Sequence, residues 1–257
     1  MTNKSSDVEK KDANDEKQDI GRRKFIKSTG LVAGGVIGGS LFGGLLGNKY
    51  QSDSTSKPVN VDSTSFQDAR IFFNRKEDFS VLEAAVERIY PEDDNGPGAV
   101  ELGVPFFIDR QLAGEYGLNS KSYMQGPFKD IDKTERYQTP LSRGGIMIEG
   151  IRKLGKASEK EFGEKFDEAE ADQQDQLLQS FQDGEVKLKG VASETFFNLL
   201  VQMTIEGAYS DPVYGGNKNM QGWKMREYPG ARPAYINVIE EEEFVLEEAI
   251  SLTDYQP

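Results

Sequence analysis

Residues 193–207, SETFFNLLVQMTIEG, place Phe196, Phe197, Leu200, Met203 and Thr204 at three- and four-residue spacings. That period gathers side chains onto one face of an α-helix, and Gly207 supplies the stop. The same signal recurs on the N-terminal side. Leu177, Leu178 and Phe181 mark a helix ended by Asp183-Gly184, and Ile148, Ile151 and Leu154 share a face within 140–157. Phe162 and Phe166 continue the apolar set. Pro105 suits an early helical position ahead of Phe106, Phe107, Ile108 and Leu112. Asn74, with Glu77 three residues on, resembles a capping box opening a helix that carries Phe79, Leu82, Val86 and Ile89 until Pro91. The stretch 235–252, with Ile239, Phe244, Leu246 and Ile250 among acids, predicts a surface helix. Strand signals are confined to Glu185–Lys189 (EVKLK). The fold class expected is mostly α: a single helical domain over 66–257 with long loops rich in Gly, Pro and aromatic residues.

Composition narrows the function classes. The 257 residues contain no His and no Cys. Thiolate metal sites, haem attachment, cysteine nucleophiles, histidine bases and serine–histidine relays are therefore excluded. Carboxylates, Lys and Tyr remain available for chemistry. A formal charge of −13 argues against nucleic acid and against broad attraction to anionic lipid, both of which need a basic surface.

Residues 1–21 are charged, low in apolar content and expected to be disordered. Residues 22–48 follow the layout of a twin-arginine export signal. Arg22 and Arg23 are followed by Phe25, Ile26 and Lys27, and no charged residue occurs from Ser28 to Asn48. Eight glycines dilute the apolar stretch, which sets it apart from a leucine-rich general secretory signal. A phosphate-binding loop does not fit, since no Gly-x-Gly-x-x-Gly or Gly-Lys-Ser/Thr pattern occurs there. A cleaved signal and a retained anchor both remain open. The 21 uncharged residues would reach about 30 Å as a helix, and Gly30/Gly34/Gly38 suits close helix packing. Residues 49–65 read as a Ser/Thr/Asp/Pro linker.

Two loop segments are not explained by helical packing. The first, Tyr90–Ala99, is acidic, but it lacks the alternating oxygen ligands and distal Glu of an EF-hand; a Pro/Gly turn with a solvated tip is the alternative. The second runs from Glu206 through Asp211-Pro212-Val213-Tyr214-Gly215-Gly216-Asn217 to Trp223 and Tyr228-Pro229-Gly230. Three readings stand beside one another. Asp211 or Glu206 could act as a general acid or base. Alternatively, Asp211 caps its own turn, Gly215-Gly216 supply unusual backbone angles, and Tyr214 and Trp223 pack the loop on the bundle. Finally, Asp211, Pro212, Tyr214, Gly215, Gly216, Asn217 and Trp223 could form a rigid loop that docks a partner.

These segments also carry a resemblance. The order PxDDxGPGAxExGVPxFIDRQL, then EGxYSDPVYGGNKNMQGWK, then YPG resembles the gluconate 2-dehydrogenase subunit 3 family, over about residues 75–235. The resemblance implies a small helical subunit accompanying a large FAD-dependent oxidoreductase of the glucose–methanol–choline class, in some complexes with a haem electron-transfer subunit. Such small subunits can carry the twin-arginine signal for a signal-less catalytic partner. Two positions depart from the family pattern: Met203 stands where many members have a histidine, and Arg226-Glu227 stand where many have Ile-Gly. No role of that histidine transfers to this chain.

The resulting expectation is a non-catalytic accessory subunit of a membrane-associated flavin dehydrogenase, with no cofactor of its own. It would serve export through the twin-arginine translocase, assembly and stabilisation, at the outer face of the cytoplasmic membrane. The rival readings are a stand-alone envelope enzyme using carboxylates or tyrosines of the Asp211 loop, and an envelope binding or scaffold protein unconnected to redox chemistry.

Overall fold

The computed structural model describes residues 69–128 and 139–255, except 237 and 244. The export signal, the linker and the expected domain start at 66 lie outside them. The helices are α1 (Lys76–Ile89), α2 (Val104–Ala113), α3 (Arg143–Glu161), α4 (Ala171–Gln182), α5 (Ser193–Tyr209) and the one-turn α6 (Gln221–Lys224). Among the described residues there is no strand, so the mostly-α expectation holds. EVKLK forms only an isolated bridge between Lys187 and Ala192.

Helix α5 sits at the centre and packs against α1, α2, α3 and α4. Its sequence explains why. Glu194 and Glu206 are its only charged residues, and a helix apolar on most of its circumference is stable only when surrounded. Phe196, Phe197, Leu199, Leu200, Met203 and Ala208 are all buried. Where α3 crosses α5, Gly150 leaves room for the Phe196 ring; a Cβ there would lie 2.0 Å from the ring edge. The outer helices are more one-sided. In α1 the buried set Phe79, Val81, Leu82, Ala85, Val86 and Ile89 faces the centre.

Polar ties set how α1 lies on its neighbours. Arg88 makes a bidentate pair with Asp175 of α4, at 2.8 and 2.6 Å. Buried Asp78 accepts from Arg152 of α3 at 2.9 Å. The largest tie holds the incoming chain. Asp109, fully buried in α2, accepts backbone N–H bonds from Ile71 (2.6 Å), Phe72 (3.0 Å) and Phe73 (2.8 Å). This clamp seats Phe73 in the core and moves the start of α1. The expected cap, Asn74, instead donates its backbone N–H to Phe72 within a turn, and α1 opens at Lys76 with Arg75 as an N-cap lacking a side-chain bond.

The second correction is at the C-terminus. Among its described residues the stretch 235–252 contains no α-helix; it has turns, bends and irregular chain, with a 3-10 turn beginning at Leu252 (Leu252–Tyr255). Local charge is the physical reason. Glu240–Glu243, Glu247 and Glu248 would stand at three- and four-residue spacings in a helix and repel one another.

Glu83 of α1 is half-buried. Burial raises its pKa above the ordinary 4.5, with Arg70 opposing, Asp167 adding and Lys76 opposing. The folded chain therefore holds this proton more tightly than the unfolded chain, and stability falls as pH rises from 4.5 through the raised value. Glu83→Gln is expected to match wild type in urea titrations below that window and to be more stable than wild type at about pH 7. A variant equally or less stable at neutral pH would contradict this.

Candidate functional site

The two singled-out loops meet at one end of the bundle, where α1 and α5 end and α2 begins. Lys218 N–H donates to the Leu102 carbonyl at 3.1 Å, and Gly103 lies against the Gly215 carbonyl. The phenols of Tyr90 and Tyr209 share a 2.9 Å hydrogen bond. Arg226 donates to the Tyr209 hydroxyl at 3.3 Å and stacks over its ring at 5.3 Å. Between the loops lies an open groove of about 500 Å³, lined by Asn95, Gly96, Pro97, Asn219, Gln221, Lys224 and Met225.

The second loop is internally over-determined. Asn217 is fully buried; its amide donates to the Ser210 carbonyl at 2.8 Å and its side-chain oxygen accepts from Gly222 N–H at 2.7 Å. Gly215 has φ +99°, as expected of a glycine in that turn. Gly216 is required for a different reason: a Cβ there would lie 2.2 Å from the Gly207 carbonyl. Asn217, Asn219 and Met220 all hold positive φ, at 47°, 57° and 57°. For Met220 that conformation is a genuine outlier. Backbone strain of this kind persists only where surrounding contacts enforce it, and it clusters at functional sites.

Each expected site residue can now be placed. Asp211 caps its own turn, accepting from Val213 N–H at 3.0 Å. It also reaches 40 residues along the chain, accepting from the Ser251 hydroxyl (2.8 Å) and Leu252 N–H (2.9 Å). Both its carboxylate oxygens are occupied, and it lies outside the groove. Glu206 is on the exposed face of α5, bonded to Gln202, so the two acid–base candidates do not converge on a shared cavity. Trp223 is buried, donates to the Tyr209 carbonyl at 2.7 Å and packs edge-on against Tyr228. Pro212 and Gly215 are half-buried; Tyr214 projects into solvent. Of the two rings expected to pack the loop on the bundle, Trp223 does pack inward, whereas Tyr214 is exposed.

In the first loop, Asp93 accepts from Asn95 N–H in a local turn. No group of three or more Asp or Glu residues suited to a metal occurs among the described residues. The segment is held instead by Glu87 of α1, which accepts from Glu92 and Val100 N–H groups. Glu87 and Asp109 are structural residues that sequence reasoning missed, because their partners are backbone amides.

A family model described as gluconate 2-dehydrogenase subunit 3 matches residues 76–230. The chain belongs to the gluconate 2-dehydrogenase subunit 3 family. The matched span covers helices α1–α6, both loops and every groove residue, so the loops and the groove between them lie within the subunit 3 domain. None of the curated proteins and none of the solved structures compared with the chain matches it. The family's name places subunit 3 members within an oxidoreductase complex, alongside its catalytic component. No helix among the described residues is long and apolar enough to cross a membrane.

Proposed function

We propose that the chain is a non-catalytic small subunit of a membrane-associated, FAD-dependent sugar or sugar-acid dehydrogenase of the gluconate type. It serves the twin-arginine export, assembly and stabilisation of the catalytic flavoprotein at the outer face of the cytoplasmic membrane. The observation that carries this reading is the subunit 3 match over 76–230, which spans the entire two-loop surface. The chemistry of the chain agrees with it. His and Cys are missing from the sequence, and Asp211 and Glu206 are engaged separately. Docking falls to the exposed parts of the second loop, Val213, Tyr214 and Tyr228. Asp211, Gly216, Asn217 and Trp223 hold that loop in shape from within.

The Arg22-Arg23 pair lies outside the described residues and belongs to this proposal as an export address shared with the partner. In cells making both subunits, Arg22→Lys with Arg23→Lys is expected to leave this chain and the dehydrogenase activity in the cytoplasmic fraction. Normal export of the activity from that strain would defeat the shared-address reading. Turnover of gluconate or another polyol by the purified chain alone, with an artificial electron acceptor, would defeat the non-catalytic one.

A further inference from the structure

The chain beyond Gly230 lies outside the family match and has an unusual construction. Its base is closed. Gly230 and Ile250 form a parallel bridge, with Ala231 N–H donating to Ile250 at 2.8 Å and Ile250 N–H to Pro229 at 3.2 Å. Arg232 pairs with Glu247 at 2.8 Å and donates to the Glu248 carbonyl at 2.8 Å. Asp211 pins Ser251 and Leu252 just after the closure. Between these anchors several of the described apolar side chains face solvent: Ile236 is 80% exposed, Ile239 76% and Leu246 59%. Amid them stand Glu240–Glu243, four consecutive exposed acids, none paired with a cation among the described residues.

Large apolar side chains left to solvent along one anchored segment are what a docking surface offers, and the acids select its occupant. A second copy meeting this surface across a two-fold axis would set one glutamate quartet against the other. Anionic lipid and nucleic acid are repelled by the same charges. A protein face with an apolar centre and a Lys/Arg rim satisfies both features. We infer that Ile236, Ile239 and Leu246 with Glu240–Glu243 form the docking element for a basic-rimmed apolar face of the catalytic flavoprotein. This rests on the function proposed above. The base of this segment is tied to the second family loop, because the Asp211 carboxylate accepts from both the Val213 and the Leu252 N–H groups, and Val213, Tyr214 and Leu252 are all exposed.

The test uses the full-length tagged chain, captured from solubilised membranes, with bound FAD and polyol dehydrogenase turnover read per mole of captured subunit. Ile236→Ser/Ile239→Ser/Leu246→Ser is expected to lower both at least about tenfold, as loss of apolar anchors does. Changing Glu240–Glu243 to Gln should lower both several-fold at low salt, with the difference from wild type shrinking at about 0.5 M salt. Far-UV circular dichroism and melting should stay at wild-type values for both. The Gln variant keeps side-chain shape, so it decides the matter if the Ser variant misfolds. Wild-type FAD capture by the Gln variant at low salt would overturn the inference. So would a wild-type self-dimer that the Ser variant converts to monomer. Failure of the wild-type chain itself to capture FAD would instead defeat the proposed function, and this inference with it.

Discussion

Asp109→Ala is expected to lower the stability of the whole helical domain by about 3 kcal/mol, measured by urea denaturation followed at the helical circular dichroism band. The size follows from what the substitution strands. Three backbone N–H groups, of Ile71, Phe72 and Phe73, point at one fully buried carboxylate. Alanine offers them no acceptor, and the buried Phe73 N–H in particular meets water only if the incoming segment lifts away. Lifting it would unseat Phe73, which is fully buried and packs edge-on against Phe79 at 6.2 Å. Asp109→Asn gives a graded control. One amide oxygen can serve Phe72 and Phe73, which share Oδ1, while the amide NH2 then faces the Ile71 N–H. The Asn variant should therefore fall between wild type and Ala. An Ala variant within about 0.5 kcal/mol of wild type would show that the clamp carries little of the fold's stability.

Asp211→Ala should act differently, because the segment that it holds lies at the edge of the bundle. It removes the acceptor for Val213 N–H, the Ser251 hydroxyl and Leu252 N–H. Around that site the expected cost is about 2 kcal/mol, felt chiefly as local opening. Amide exchange over 230–252 should accelerate about thirtyfold, and limited proteolysis should cut beyond Gly230, while α1–α5 keep wild-type protection. Ser251→Ala, which removes one of the three bonds, should give a smaller acceleration. Unchanged exchange over 230–252 in the Ala variant would mean that the bridge at Ile250 and the Arg232–Glu247 pair suffice alone. A general base at Asp211 would make no such prediction about residues 40 positions away.

The helices were legible from local pattern. The 193–207 period identified the helix and its apolar face; that this helix lies at the centre followed only from its packing against α1–α4. The two irregular segments were legible as exceptions to that pattern, and the missing His and Cys removed most catalytic schemes before any geometry was known. Asp211 as the cap of its own turn was readable for the same reason: donor and acceptor are two residues apart. At the C-terminus, the repulsion among Glu240–Glu243, Glu247 and Glu248 opposes the helix that apolar spacing suggests, and that charge pattern is itself visible in the sequence.

The tertiary structure alone decided the rest. Asp109 reaches amides 36 to 38 residues away, Asp211 reaches 40 and 41 residues, and Tyr90 meets Tyr209 across 119. No periodicity or turn rule encodes such pairings, because they depend on which helix ends the packing of α5 brings together. The same packing turned Trp223 inward and left Tyr214 outside. Thus local chain stiffness and hydrophobic spacing determined that this chain forms helices around 193–207. Which carboxylates fasten residues 71–73 and 251–252, and which aromatic residues face solvent, were fixed only by contacts between segments distant in sequence.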